Sequence, residues 1–158
     1  MHMIEIVIPG RASFRFEYLV LDLNGTIATD GTLINGVGER IEVLKSRIHI
    51  VIVTADTRGN ASELKRNLQV DIRRVDAGGE DEQKLALVQG LGRECTICIG
   101  NGSNDVSMLK EGGLSICVIG DEGASAEAAM SSDILVTGIN DALDLLLSPE
   151  RLIATLRR

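Results

Sequence analysis

Four short apolar runs constrain this chain more than anything else in it: Tyr18-Leu19-Val20-Leu21, residues 49–53, Thr96-Ile97-Cys98-Ile99 and residues 114–119. Each is continuous rather than alternating, as a strand buried on both faces must be. Segments with helical spacing separate them. Val37, Ile41, Leu44 and Ile48 form one such stripe, Ala61, Leu64 and Leu68 another within 60–68, and Leu85, Val88 and Leu91 a third. The third opens on Glu80-Asp81-Glu82, acidic residues that suit a helix amino end. Further helices are predicted over 103–110, 124–130, 139–147 and 149–157. Ser148-Pro149-Glu150 is a helix-start signature between the last two. Residues 70–75 read as a polar edge strand and 134–136 as a last strand. Apolar strands alternating with helices give an α/β fold, a doubly wound Rossmann-like parallel sheet with helices on both faces. Pro9-Gly10-Arg11 lies between two strand patterns and predicts an N-terminal β-hairpin. The expected organisation is one domain over 1–158, with the hairpin in 1–17 and the core in 18–158. Asp30-Gly31 predicts a short β-flap within 27–35.

In such a sheet, ligands bind beyond the carboxyl ends of the strands. The unusual polar residues fall there. Asp22 and Asn24 follow one strand, Thr54 and Asp56 a second, and Asn101 to Asp105 a third. An unpaired Asp at the end of a buried strand is costly, which suggests a nucleophile or a metal ligand. Taken alone, Asn24-Gly25 is equally an ordinary turn. Gly100-Asn101-Gly102 permits close backbone approach ahead of a helix amino end, a natural anion site. Lys84 falls in the first turn of its helix, where a cation opposes the dipole; it either serves an anion or is a surface lysine. Oxygen donors without a histidine cluster favour a hard cation such as Mg²⁺. Nucleophile, hydroxyl, lysine and hard cation together suit a phosphoryl group, whose transfer needs positioning and charge neutralisation.

Composition removes other classes. A net charge of −7 is wrong for binding a phosphate backbone, and 2% aromatic residues cannot build a base-stacking platform, so no nucleic-acid partner is expected. No stretch has the pattern of a signal peptide or a membrane span, and three cysteines are a poor disulfide framework. A reducing cytoplasm and no membrane association are the expectation. Cys95 and Cys98 form a CxxC that leads into a strand, which with Cys117 points to core packing rather than zinc or redox use.

The residues Asp22-Leu23-Asn24-Gly25-Thr26, Thr54, Lys84 and Gly100-Asn101-Gly102-Ser103-Asn104-Asp105 stand in the order of the motifs of the haloacid dehalogenase-like (HAD) superfamily. Val53-Thr54-Ala55-Asp56 is similar to the Thr-Gly-Asp element of P-type ATPases. The chain thus resembles a soluble form of the P-type ATPase phosphorylation domain. The resemblance implies that Asp22 attacks phosphorus and forms an aspartyl-phosphate. It implies catalytic roles for Asp22, Asn24, Thr54 and Lys84, and substrate contacts from Gly25, Thr26, Thr54, Ala55, Lys84 and Asn104. It further implies Mg²⁺ held by Asp22, the main-chain carbonyl of Asn24, Asn101 and Asp105.

Two departures stand out. The residue two places after the nucleophile, an acid–base Asp in HAD phosphatases, is Asn24, which cannot shuttle a proton; such catalysis contributes about 10²–10⁴-fold. P-type ATPases also lack that Asp, so slow dephosphorylation is implied rather than none. The first Asp of the Gly-Asp-Gly pattern is Asn101, which removes a charge from the metal site. The intervals 26–37 and 67–80 are too short for a cap domain. An uncapped site implies a large phosphorylated substrate, small molecule or protein, or a homo-oligomer that covers it. The expectation is a Mg²⁺-dependent phosphohydrolase or phosphotransferase. The alternative is a catalytically silent phosphate- or nucleotide-binding regulatory protein.

Overall fold

Alternation hidden inside the apolar runs decides how the sheet is covered. In the computed structural model, which describes residues 2–55 and 60–158, Leu19, Leu21, Ile50, Ile52, Ile97 and Ile99 face one core, and Val20, Val51, Val53 and Cys98 face the other. Because both sets are apolar, the strands read as unbroken runs.

The chain opens with β1 (Ile4–Val7) and β2 (Ser13–Phe16), an antiparallel hairpin that docks Ile4, Ile6 and Phe16 into the first core. β3 (Tyr18–Asp22) follows, then β4 (Ala28–Thr29) and β5 (Thr32–Leu33), the expected flap. Its turn places Asp30 and Gly31 at φ 52° and 80°, a left-handed pair that Asp and Gly tolerate. Next come α1 (Val37–Leu44), β6 (His49–Thr54), α2 (Asn60–Leu68), β7 (Asp71–Arg74) and α3 (Glu80–Leu91). The remainder is β8 (Thr96–Gly100), a 3-10 turn over Ser103–Asp105 leading into α4 (Val106–Glu111), β9 (Leu114–Val118), α5 (Ala126–Met130), β10 (Ile134–Val136), α6 (Ile139–Leu147) and α7 (Pro149–Leu156). Several helices are shorter than their sequence patterns predict, α7 by one residue and three others more clearly. α1 stops at Leu44 with Ile48 buried beyond it, the segment after residue 102 begins as a 3-10 turn, and α5 starts two residues late behind its cap Ser125, which accepts from the Ala128 amide.

β10-β9-β8-β3-β6-β7 is the order of the six-stranded sheet, parallel throughout. Buried residues of α1, α6 and α7 belong to the first core, and those of α3, α4 and α5 to the second. The connection out of β3 leads to β6 on one side, and the chain later returns to lay β8 on the other. The order therefore reverses at β3, which puts Asp22 at the switch point. β7 is an edge, as its polar sequence suggests.

With one tyrosine and two phenylalanines in the chain, aliphatic side chains build nearly all of both cores; Phe16 is the exception, 1% exposed and stacked on Phe14 at 5.3 Å. Truncating it leaves a cavity where the hairpin meets the sheet. Phe16→Ala should destabilise the fold by about 3–5 kcal/mol, read as a lowered urea midpoint with an unchanged slope.

Candidate active site

Lys84 lies at the bottom of the cleft at the carboxyl ends of β3, β6 and β8. It is 2% exposed, and its Nζ donates to Asp22 Oδ1 at 3.0 Å and to Asp105 Oδ1 at 2.8 Å. Its backbone is the fifth residue of α3, and its side chain reaches in to the two carboxylates instead of out into solvent. The surface-lysine alternative is thereby excluded. Asp105 is fully buried behind it, and its Oδ2 accepts from the amides of Asn101 (3.0 Å) and Gly102 (3.1 Å). This corrects one expectation: the amides of the Gly100-Asn101-Gly102 loop face an internal carboxylate, not an external anion. Gly100 is required here, since a Cβ on it would lie 2.6 Å from Asp105 Cγ.

Thr26 is also fully buried. Its hydroxyl lies 3.1 Å from Asp22 Oδ2 and 3.3 Å from Asn101 Oδ1. One hydroxyl proton cannot serve both acceptors at once, so two oxygens converge on a spot with a single donor between them. The other end of the Asn101 amide donates to Gly123 O at 3.3 Å, which turns its oxygen toward Asp22. Gly25 separates these groups at φ 80°; a Cβ there would collide with Glu122 Oε2 and meet Asn101 Nδ2 at 2.7 Å. Gly25 thus holds the loop closed and contributes by its lack of a side chain.

A cavity of about 280 Å³ opens above this floor, lined by Asp22, Asn24, Thr54, Ala55, Glu80, Lys84, Asn101 and Asn104. Larger depressions lie elsewhere, around His49 and beside the hairpin, but neither contains any of these residues. Asn24 is exposed within the cavity and Thr54 is buried in its wall. Asn104 Nδ2 donates to Glu80 Oε2 at 2.6 Å, and the Asp81 carboxylate accepts from the Ser107 amide and hydroxyl. The start of α3 is thereby tied to the 103–107 segment. Asp56, part of the Thr-Ala-Asp pattern, lies outside the described residues. In the sequence Glu80 reads only as a charge at a helix start; its position four residues before Lys84, on the same helix face, is the available signal. Glu122 carried no signal. Cys98 and Cys117 are buried in the second core and burial raises both thiols, in line with a packing role.

The donors suit a hard cation in kind: carboxylate, amide and main-chain oxygens. They are sparse in charge. Among the described residues no group of three His, Cys, Asp or Glu side chains could hold a metal ion.

Burial pushes the Asp22 carboxyl up from 3.8 to about 7, helped by the like charge of Asp105 and opposed by Lys84 and the Thr26 hydroxyl. For Lys84 burial alone would lower the ammonium, but the two carboxylates more than reverse it and the pKa stands above 10.5. The folded state therefore binds more protons at Asp22 than the unfolded chain between about pH 4 and 7, so this group's contribution falls as pH rises through that window. In chelator, the melting temperature should drop between pH 5 and 8, and Asp22→Asn should flatten that slope; equal slopes in the two proteins would contradict the assignment.

No protein-family model matches the chain. A soluble P-type ATPase-like phosphatase of Methanocaldococcus jannaschii is 32% identical over 123 residues, which cover 76% of this chain and 45% of that protein. The chain thus spans less than half of that relative. An uncharacterized protein of the same organism is 50% identical over 90 residues, 54% of this chain and 97% of its own length. Among solved structures, the cobalt-bound deoxy-D-mannose-octulosonate 8-phosphate phosphatase of Haemophilus influenzae superposes with a TM-score of 0.70 at 14% identity, covering 90% of this chain and 94% of that one. The corresponding phosphatase of Moraxella catarrhalis, in complex with magnesium, phosphate and the sugar, gives 0.67 at 19%, with coverage of 90% and 94%. At these identities the structural likeness establishes the fold. The chain has the haloacid dehalogenase-like fold.

Proposed function

We propose that this protein is a phosphohydrolase that works through an aspartyl-phosphate on Asp22, aided by a weakly held divalent cation such as Mg²⁺. The observation that carries the reading is the buried lysine bridging Asp22 and Asp105. A lysine held against two carboxylates is well placed to neutralise a phosphoryl group arriving between them. Lys84 and Thr54 then hold phosphoryl oxygens, Ala55 borders them, Asn104 faces the substrate from the rim, and Thr26, buried beneath, donates to Asp22. Asp22, the main-chain carbonyl of Asn24 and Asn101 would hold the cation, with Asp105 Oδ1 behind them. When bound, the cation supplies positive charge against the phosphoryl oxygens and the nucleophile. With one carboxylate fewer at position 101, its affinity should be modest.

The reaction runs as two displacements. Asp22 must be ionised to attack, and binding of cations to the cleft opposes the burial that holds its proton on. Its oxygen bonds to phosphorus as the substrate's leaving oxygen departs, and water then releases phosphate. Asn24 offers no proton transfer to either step, so turnover is slow. The chain's substrate is a phosphorylated small molecule or protein large enough to use an uncapped cleft, or a partner copy covers the cleft. Among the described residues no helix is long and apolar enough to cross a membrane.

The same two amides favour a second reading, a phosphate-binding regulatory protein without turnover, because both proton shuttle and metal charge are reduced. Phosphate release from p-nitrophenyl phosphate in Mg²⁺ tests the first reading. It should be measurable, and Asp22→Asn should abolish it together with any acid-stable phosphoenzyme. Asn24→Asp should raise the rate by roughly 10²–10⁴-fold. Silence of both the natural chain and Asn24→Asp, with phosphate binding retained, would select the regulatory reading.

A further inference from the structure

We infer that Glu80 is the general base of dephosphorylation, standing in for the carboxylate missing at position 24. This rests on the aspartyl-phosphate reading above. Hydrolysis of that intermediate needs an acceptor for a water proton, and Asn24 cannot be one. Among the described residues the cavity is lined by only two carboxylates, Asp22 and Glu80. Asp22 carries the phosphoryl group at that stage. Asp105 is fully buried under Lys84, with Oδ1 on the ammonium and Oδ2 on two amides, out of reach of an incoming water.

Glu80 is suitably placed. It precedes Lys84 by four residues, so the two share one face of α3, about 6 Å apart along the axis. Lys84 reaches down to Asp22, whereas Glu80 is half-buried and reachable by water. In the proposed step the attacking water lies between Glu80 and the phosphoryl group. Asn104 fixes the carboxylate by donating to Oε2 at 2.6 Å, and among the described residues Oε1 has no hydrogen-bond partner. In the step, the water oxygen bonds to phosphorus, its proton passes to Glu80 Oε1, and the bond from phosphorus to the Asp22 oxygen breaks. The electron pair returns to Asp22 as carboxylate, and Glu80 gives its proton to solvent or to the departing phosphate. If Glu80 served only as a favourable charge at the start of α3, it would leave this step untouched.

Phosphoenzyme decay in the full chain separates these roles, with p-nitrophenyl phosphate and Mg²⁺ as the probe and acid quenching as the readout. Glu80→Gln keeps the length and the contact with Asn104. It should slow decay at least 10-fold while the burst of phosphoenzyme persists and KM falls, because the second step now limits turnover. Asn24→Asp added to Glu80→Gln should restore decay. Unchanged decay in Glu80→Gln overturns the inference, as does a loss of burst and decay together, the mark of a structural role. Slowed decay in Asp56→Asn with normal decay in Glu80→Gln assigns the base to Asp56 instead. Absence of any phosphoenzyme in the natural chain and in Asn24→Asp overturns the aspartyl-phosphate reading, and this one with it.

Discussion

The ammonium of Lys84 between Asp22 and Asp105 is the contact on which the rest of the cleft depends. It brings together the ends of β3 and α3 and the loop after β8, elements more than sixty residues apart at the extremes. Two carboxylates and one lysine, all nearly excluded from water, leave one negative charge in excess. Desolvation makes such an excess expensive, and the raised Asp22 carboxyl is its direct expression. A stable fold has no use for that arrangement. Positive charge added to the cleft would relieve that excess.

The two asparagines belong to the same electrostatic account. Carboxylates at positions 24 and 101 would add two negative charges to a cleft that already holds Asp22, Asp105 and Glu80 around a single lysine. Asn101 instead sets its amide nitrogen on Gly123 O, and that end of the side chain also approaches Glu122; a carboxylate there would turn an oxygen toward both. The neutral amide at 101 and the carboxylate at 122 are thus compatible in a way that two carboxylates would not be. Neutral amides at 24 and 101 keep the electrostatic burden of the cleft smaller than carboxylates would.

Much of the fold was legible because burial on two faces leaves an unmistakable mark. The runs at β3, β6, β8 and β9 have no polar face to interrupt them, and the stripes of α1, α2 and α3 recur at helical spacing. The flap was legible from Asp30-Gly31 and the edge position of β7 from its polar residues. Helix ends were less so. Whether Ser103–Asp105 winds as a 3-10 turn depends on the Asp105 carboxylate reaching back to the Asn101 and Gly102 amides, a contact no local pattern announces.

The sequence by itself determined which chemical groups the protein owns and at which strand ends they stand: Asp22 after one strand, Thr54 after the next, Asn101 to Asp105 after a third. Side-chain periodicity and strand order do that much, because they are local or nearly so. Only the tertiary structure decided which of those groups touch. It turned the loop amides toward Asp105, drew Lys84 out of solvent, converged Asp22 and Asn101 on one hydroxyl, and set Glu80 in the cavity wall. Distances and burial across a closed sheet edge arise from packing between remote segments, and pKa values follow from that packing rather than from residue type.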